Sequence, residues 1–437
     1  MLLYRILYIP ALVLALPYFA YRMWRRGGYR KGFANRFGIL EGVPPRKPGI
    51  RRIWIQAVSV GELMAIGPLL RNLLAEKDTE IVLTTTTSTG YRLLNDKYSE
   101  ETVWRGTFPL DFWACSRKAW KLLQPDMAVL MEGELWPEHI HQAYLRKVPV
   151  VMINARLSDR SFRRHYKVRS FMRSYLCKLS AILAGSTTDL KRIRKLGWLP
   201  EERILRSGNL KLDLDQEPDF PTEERKRLLS ELGFANLSDE STDIQVLLGS
   251  STWPGEEAAL VQSYIDLRKR FPNLRLLIVP RHAERRKELE ADLKALPVQT
   301  HYRTDRKQAP PGTEVYVADT TGELKSLTRV ADLVFIGKSL PPNSGGQTPI
   351  EAASMGKAII CGPQMNNFRD VTRSLLRENA IVRLQSVEEL TAQVARFLEN
   401  PDERLAMGQR AGAFIDVSRG AADFTAATLL ELLNQQD

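Results

Sequence analysis

The chain has 437 residues, 44% of them apolar and 26% charged, a globular composition with length for two to three domains at about 150 residues each. This excludes a wholly disordered chain, a fibrous repeat and a polytopic membrane protein. The net charge of +12 is concentrated at one end: residues 1–52 hold eleven Lys and Arg against one acid, Glu41, and the nearly neutral remainder argues against a nucleic-acid-binding face.

From the N-terminus, the first element is an apolar run. Sixteen uncharged residues lie between Arg5 and Arg22, and Arg22, Arg25, Arg26, Arg30, Lys31 and Arg36 follow. Residues 1–30 are expected to be a membrane anchor with its basic flank, since basic charge beside an apolar segment points to anionic lipid. A cleaved signal peptide is disfavoured, because the charge follows the apolar run. The flank places the body of the protein in the cytoplasm. Pro10 and Pro17 weaken a regular spanning helix, so spanning and lying in the interface are both left open.

Beyond residue 52, short apolar runs alternate with amphipathic stretches. Ile53–Ala57, Glu80–Thr84, Ala128–Met131, Val148–Ile153 and Ala181–Ala184 read as buried strands. Glu62–Ala75 and Asp159–Tyr175 read as helices. The pattern fades over 214–224, around Pro218 and Pro221, and this stretch is expected to be a linker. It resumes with strands at Ile244–Leu248, Leu274–Val279, Glu314–Val317, Leu333–Ile336 and Ala358–Cys361, and helices at Pro254–Lys269, Ala283–Lys294 and Gln347–Met355. Strands alternating with helices predict α/β domains with parallel sheets. Two doubly wound domains are expected, over 31–213 and 225–437, with ligands beyond the carboxyl ends of the strands.

Several chemistries are missing from those loops. There is no GxxxxGK[ST], no GxGxxG after a strand and no GxSxG. Cys115, Cys177 and Cys361 fit no metal or disulfide spacing and suggest a reducing compartment. His139 and His141 are expected at the surface. Asp213 and Asp215 form a DxD near the linker rather than at a strand end. The strand ends themselves carry Gly, Ser and Glu. The first domain offers Glu62 after Ala57-Val58-Ser59, then Glu132 and Glu134 in Glu132-Gly133-Glu134-Leu135-Trp136, and Lys211 after Gly208-Asn209. For Glu62 the bland reading is a first-turn acid complementing the helix dipole. In the second domain, Gly249-Ser250-Ser251-Thr252 and the run from Gly337 to Glu351 suggest backbone N–H groups turned toward an anion.

At these residues the chain resembles a known family. WIQAVSVGE, TTTTSTGYR, MEGELWP, NARLSDRSFRRHY, GNLKLD, PRHAER and GGQTPIEAASMGKAIICGPQMNNF occur in the order found in 3-deoxy-D-manno-octulosonic acid (Kdo) transferases of lipopolysaccharide assembly. The resemblance implies a GT-B glycosyltransferase, two Rossmann-like domains facing a cleft, with a membrane-associated N-terminus. It implies inverting transfer of Kdo from CMP-Kdo onto a lipid A precursor at the cytoplasmic face of the inner membrane, with no cofactor or metal. Glu62 would be the general base, and Glu132 and Lys211 would stabilise the transition state. Pro280, Arg281, Thr321, Gly322, Glu323, Thr348, Pro349, Ile350 and Glu351 would contact CMP. Gln347 and Thr348 depart from the family's usual His and Asn. A GT-B enzyme using another nucleotide sugar or another acceptor is therefore the alternative.

Overall fold

The structure, a computed structural model, describes residues 1–26, 32–213, 220–235, 243–306 and 308–435. The chain divides into two compact units, one of residues 1–215 and 418–437, the other of residues 216–417. Each is built on one seven-stranded sheet whose recorded strand pairs are all parallel.

The first sheet comprises β1 (Arg51–Gln56), β2 (Thr79–Thr85), β3 (Trp104–Thr107), β4 (Met127–Met131), β5 (Val150–Ala155), β6 (Ala181–Ala184) and β7 (Ile204–Arg206), in the order β3-β2-β1-β4-β5-β6-β7. Both faces are covered, so the central strands are buried along their length, as parallel sheets require. Alternation along β1 sends Ile53 and Ile55 into one core with Leu70, Ile81 and Val129, and Trp54 into the other with Trp120, Ile140 and Met152.

The second sheet comprises β8 (Gln245–Thr252), β9 (Leu274–Pro280), β10 (Thr300–Tyr302), β11 (Val315–Val317), β12 (Leu333–Ile336), β13 (Ala358–Cys361) and β14 (Val382–Arg383), in the order β10-β11-β9-β8-β12-β13-β14. In both sheets the first strand is central, and the order reverses beside it. The reversal lies between β1 and β4 in one sheet and between β8 and β12 in the other. At such a switch point, adjacent loops leave the sheet in opposite directions and open a crevice.

Several expectations are corrected. The helix expected over Glu62–Ala75 is two, Val60–Ala65 and Gly67–Leu74, separated at Ile66 just before Pro68. The Asp159–Tyr175 helix is also divided, at Val168. Gln347–Met355 shrinks to Ile350–Ser354. The linker residues 214–219 lie outside the described residues, and Thr222 already opens a helix, Thr222–Glu231. The second domain does not run to 437. The last helix, Ala421–Asn434, belongs to the first unit, where Ala422, Leu429 and Leu433 join the core of Ile53 and Ile55. Asp213 explains the junction: its carboxylate accepts from the N–H of Gly420 (2.8 Å) and of Ala422 at the start of that helix, and this structural duty accounts for the first aspartate of the DxD. His139 is buried, not superficial. Its Nδ1 accepts from the Trp120 indole at 3.2 Å, and burial pushes the imidazole down to about 4.

The N-terminal run forms one helix, Leu2–Arg26, with Pro10 and Pro17 inside it. Among the described residues, no helix is long and apolar enough to cross a membrane. Its first turns instead dock on the first unit. Arg5 makes a two-pronged ion pair with buried Glu138 (2.8 Å each), Tyr4 donates to Asp111 at 2.5 Å, and Tyr8 stacks on Phe112. Burial raises the Asp111 carboxyl to about 7. Leu2, Leu3, Ile6, Val13 and Leu14 remain exposed, Leu14 at 82%. The side chains of Arg22, Arg25 and Arg26, and Arg30 and Lys31 entirely, lie outside the described residues.

Candidate active site

In the first unit, the expected catalytic residues gather at the β1/β4 switch point. The loop leaving β1 carries Glu62. Ser59 caps the following helix by accepting from the Glu62 N–H at 3.3 Å. The Glu62 carboxylate turns back and accepts from the Val58 N–H at 2.8 Å and the Ser59 hydroxyl at 3.0 Å. This reciprocal arrangement resembles a capping box, with the Val58 N–H and the Ser59 hydroxyl in place of the Ser59 N–H. The TTTT stretch supports it from β2, since Thr85 and Thr87 donate to the Val58 carbonyl at 3.0 and 3.2 Å. Gly90 is required for that convergence, because a Cβ there would lie 2.5 Å from the Thr85 hydroxyl.

The loop leaving β4 carries Glu132 in the left-handed region, at φ 58°, a costly conformation for a side-chain-bearing residue. Lys211, on the short turn Leu210–Leu212, donates to the Glu132 carboxylate at 2.6 Å. Asn154, buried at the end of β5 and also left-handed, ties the turn in place: its Oδ1 accepts from the Leu210 N–H at 3.2 Å. The sequence reading gave Asn154 no role. Its adjacency to Gly185, where a Cβ would meet the Asn154 side chain at 3.0 Å, is visible only in three dimensions.

Three carboxylates and one lysine thus share this end of the sheet. Burial raises the Glu62 carboxyl above its ordinary value, the Glu132 charge adds to the rise, and the Val58 and Ser59 hydrogen bonds and Lys211 oppose it. Glu134 is raised to about 7 by burial, then by the charges of Glu62 and Glu132. Perturbed carboxyls at a switch point make this end of the sheet the candidate site. Glu134 is the member that the sequence reading left open.

In the second unit, the expected nucleotide contacts occupy loops beyond strand ends. Pro280 ends β9 and Arg281 is exposed just beyond it. Thr321 and Gly322 are exposed in the turn after β11, whereas the Glu323 carboxylate is taken up by Arg303 and the Thr320 hydroxyl. Thr348 accepts from the Ile350 N–H at 3.2 Å, Pro349 precedes the short helix, and Glu351 sits in its first turn. Several of the N–H groups in and beside the expected anion-binding loops are occupied. Buried Glu256 accepts from Trp253 at 2.9 Å, Lys338 and Ser339 at 2.7 Å and Leu340 at 3.0 Å. Sequence reasoning missed this because Glu256 reads as an ordinary first-turn acid.

Among the described residues, no group of three or more His, Cys, Asp or Glu has the arrangement to hold a metal ion.

Residues 31–214 match the family model described as 3-Deoxy-D-manno-octulosonic-acid transferase (kdotransferase). A 3-deoxy-D-manno-octulosonic acid transferase of Haemophilus influenzae is 31% identical over 93% of this chain and 91% of its own length. One of Bordetella pertussis is 30% identical over 94% and 95%. Among solved structures, UDP-GlcNAc 2-epimerase of Neisseria meningitidis shares the fold at a TM-score of 0.58 and 14% identity, covering 87% of this chain and all of that one. A glycosyltransferase of Rickettsia africae does so at 0.59 and 12%, covering 89% and 99%. With switch-point carboxylates in place and relatives matched along nearly their whole length, the chain belongs to the 3-deoxy-D-manno-octulosonic acid transferase family.

Proposed function

We propose that this protein transfers Kdo from CMP-Kdo to a hydroxyl of a lipid A precursor, with inversion and without a metal, at the cytoplasmic face of the inner membrane. The observation that carries the mechanism is Glu62. It is buried at the β1/β4 switch point, and among the described residues each carboxylate oxygen accepts one hydrogen bond. About four acceptor sites are available to a carboxylate, so capacity remains for a substrate proton.

In this reading Glu62 takes the proton from the acceptor hydroxyl as that oxygen bonds to the anomeric carbon. The carbon–oxygen bond to CMP breaks, and its electron pair leaves on the phosphate. Lys211 and Glu132 stabilise the transition state: the lysine offsets negative charge growing on the leaving group, and Glu132 holds the lysine in place and favours a positively polarised sugar. Pro280, Arg281, Thr321 to Glu323 and Thr348 to Glu351 contact CMP, with Arg281 toward the phosphate and Glu351 toward the ribose hydroxyls. A single phosphate in the leaving group requires no metal to neutralise a diphosphate. The docked helix Leu2–Arg26 rests on anionic lipid through its exposed apolar side chains. Co-sedimentation with phosphatidylglycerol vesicles checks this, and a chain left in the supernatant refutes it.

The test of the reaction is product formation from CMP-Kdo and a tetraacylated lipid A precursor with a chelator present, read by mass spectrometry of the lipid. A gain of one or more Kdo masses is expected. No gain from a folded chain that binds CMP refutes the acceptor assignment. A second reading, another nucleotide sugar, is favoured by Gln347 and by Thr348, whose hydroxyl is engaged by Ile350. Tighter calorimetric binding of UDP or GDP than of CMP would establish it.

A further inference from the structure

We propose that Lys338 is a specificity-determining residue for the donor: its ammonium, held over the Trp253 indole at the switch point of the second sheet, receives an oxyanion of the nucleotide sugar. The inference rests on the nucleotide-sugar reading above and adds a residue that neither the motifs nor the family resemblance assigns.

Topology gives the location. The chain runs from β8 to β9, β10 and β11 on one side of the sheet, then crosses to β12 on the other. Ligands in such sheets bind outside the carboxyl ends of the strands, where the order reverses. Trp253 follows β8 and Lys338 follows β12, so the two residues flank that crevice. The loops approach closely, because a Cβ on Gly337 would lie 2.4 Å from the Ser251 carbonyl oxygen. Lys338 is therefore the first position after β12 from which a side chain can reach the crevice.

Electrostatics gives the ligand class. The N–H groups of Trp253, Lys338, Ser339 and Leu340 all donate to Glu256, which is 1% exposed. Those of Gly345, Gly346 and Gln347 donate to the carbonyls of Gln364, Lys338 and Gly337. An arriving anion finds these backbone donors spent and a carboxylate beneath them. Side-chain cations have to reverse the local sign. Lys338 supplies one in addition to Arg281: its Nζ lies 4.3 Å from the centre of the Trp253 ring, and the His282 ring packs edge-on against the same indole at 5.4 Å. A ring face shields one side of an ammonium and leaves N–H donors for a ligand.

The backbone indicates that this lysine is not placed for stability. Lys338 has φ 58°, a conformation that glycine adopts without steric cost and a side-chain-bearing residue does not. Both partners of the cation–π contact are half-buried, and such a contact is worth no more than the strain that it would have to offset. A glycine would serve the turn better, whereas an anionic ligand gives a reason for the lysine.

Two donor groups share this chemistry, the phosphate of the nucleotide and the carboxylate of the sugar acid. Lys338→Gly and Lys338→Met, made in the full chain, separate them through calorimetric titration with CMP, KM for CMP-Kdo and thermal melting. With the phosphate as the group held, both variants bind CMP on the order of tenfold more weakly, as expected for loss of a charged hydrogen bond. With the carboxylate held, CMP binding is unchanged and KM for CMP-Kdo rises by that factor. In either case Lys338→Gly melts no lower than wild type. CMP affinity and KM both within twofold of wild type would overturn the role of Lys338 while leaving the donor reading intact. A wild-type chain that binds no CMP would overturn the donor reading, and this role with it.

Discussion

Glu62 performs two tasks in the proposed mechanism, and two substitutions separate them. As a cap, its carboxylate accepts from the Val58 N–H at 2.8 Å and the Ser59 hydroxyl at 3.0 Å. As a base, it must take up a proton. Glu62→Gln preserves the first task, because the amide oxygen accepts from Val58 and the amide nitrogen donates to Ser59, whose hydroxyl also accepts. It abolishes the second. Turnover should fall by about 10²–10⁴-fold, the usual contribution of a positioned base. Glu62→Ala removes the base and both hydrogen bonds. The buried charge is gone from both variants, so their difference in stability reports the cap together with the packing of the longer side chain. That difference is about 1–2 kcal/mol, or about 2–8 °C in Tm for a unit of this size. Initial rates by mass spectrometry of the lipid and thermal melts supply both readings. A Gln variant within tenfold of the wild-type rate would reduce Glu62 to a cap, and equal melting of Gln and Ala would refute the capping argument.

Three further outcomes follow from the same site. Lys211 lowers the Glu62 carboxyl and Glu132 raises it, so Lys211→Met should move the acid limb of the pH–rate profile to higher pH and Glu132→Gln to lower pH; shifts in the same direction would contradict the electrostatic assignment. Glu134 is raised from 4.5 to about 7, so the native state holds the extra proton between those values. Stability is lost as pH rises through about 7, by up to about 3 kcal/mol. Glu134→Gln should therefore flatten the fall in Tm between pH 5 and pH 8, and an unchanged slope would show that the group titrates normally. Glu256→Ala leaves four N–H groups, two of them buried, without their acceptor, at a cost of about 1–3 kcal/mol for each that water does not reach; chemical denaturation should show the second unit markedly destabilised, and a wild-type midpoint would mean that the loop re-pairs elsewhere.

The central strands were legible because burial on both faces demands apolar runs, and those at Ile53–Ala57 and Leu333–Ile336 needed no other signal. The edge strands Trp104–Thr107, Ile204–Arg206, Thr300–Tyr302 and Val382–Arg383 were not. They are two to four residues long, and each has a neighbour on one side only, so little apolar patterning accumulates. The break after Ala65 was readable from Pro68. The return of the final helix to the first unit was not, because its apolar stripe fits either sheet and the deciding contact, Asp213 on Gly420 and Ala422, spans 207 and 209 positions. Likewise, the ring contacts that bury His139 come from Trp54 and Phe108, remote in sequence from the His-x-His pair. Acids at strand ends were recognisable as candidates, but their duties depended on partners that sequence does not reveal.

Glu62 and Glu256 make that last point sharply, since they are the same residue type in the same topological place. Each follows the first, central strand of its sheet and lies in the first turn of the next helix. Each is buried, and burial raises both carboxyls. Neither position, nor exposure, nor proton affinity tells a base from a structural anchor here. Acceptor capacity does. Glu256 receives two N–H groups on each oxygen, which fills the roughly four lone-pair sites of a carboxylate and leaves nothing for a substrate. Glu62 receives one hydrogen bond per oxygen, enough to fix its orientation while a lone pair stays available on each. The contrast also accounts for the partners at each site. A saturated carboxylate needs only the loop it holds, whereas one that must gain and lose a proton needs its affinity adjusted, and Glu62 alone of the two stands beside an ion pair, Lys211 with Glu132, whose members pull that affinity in opposite directions.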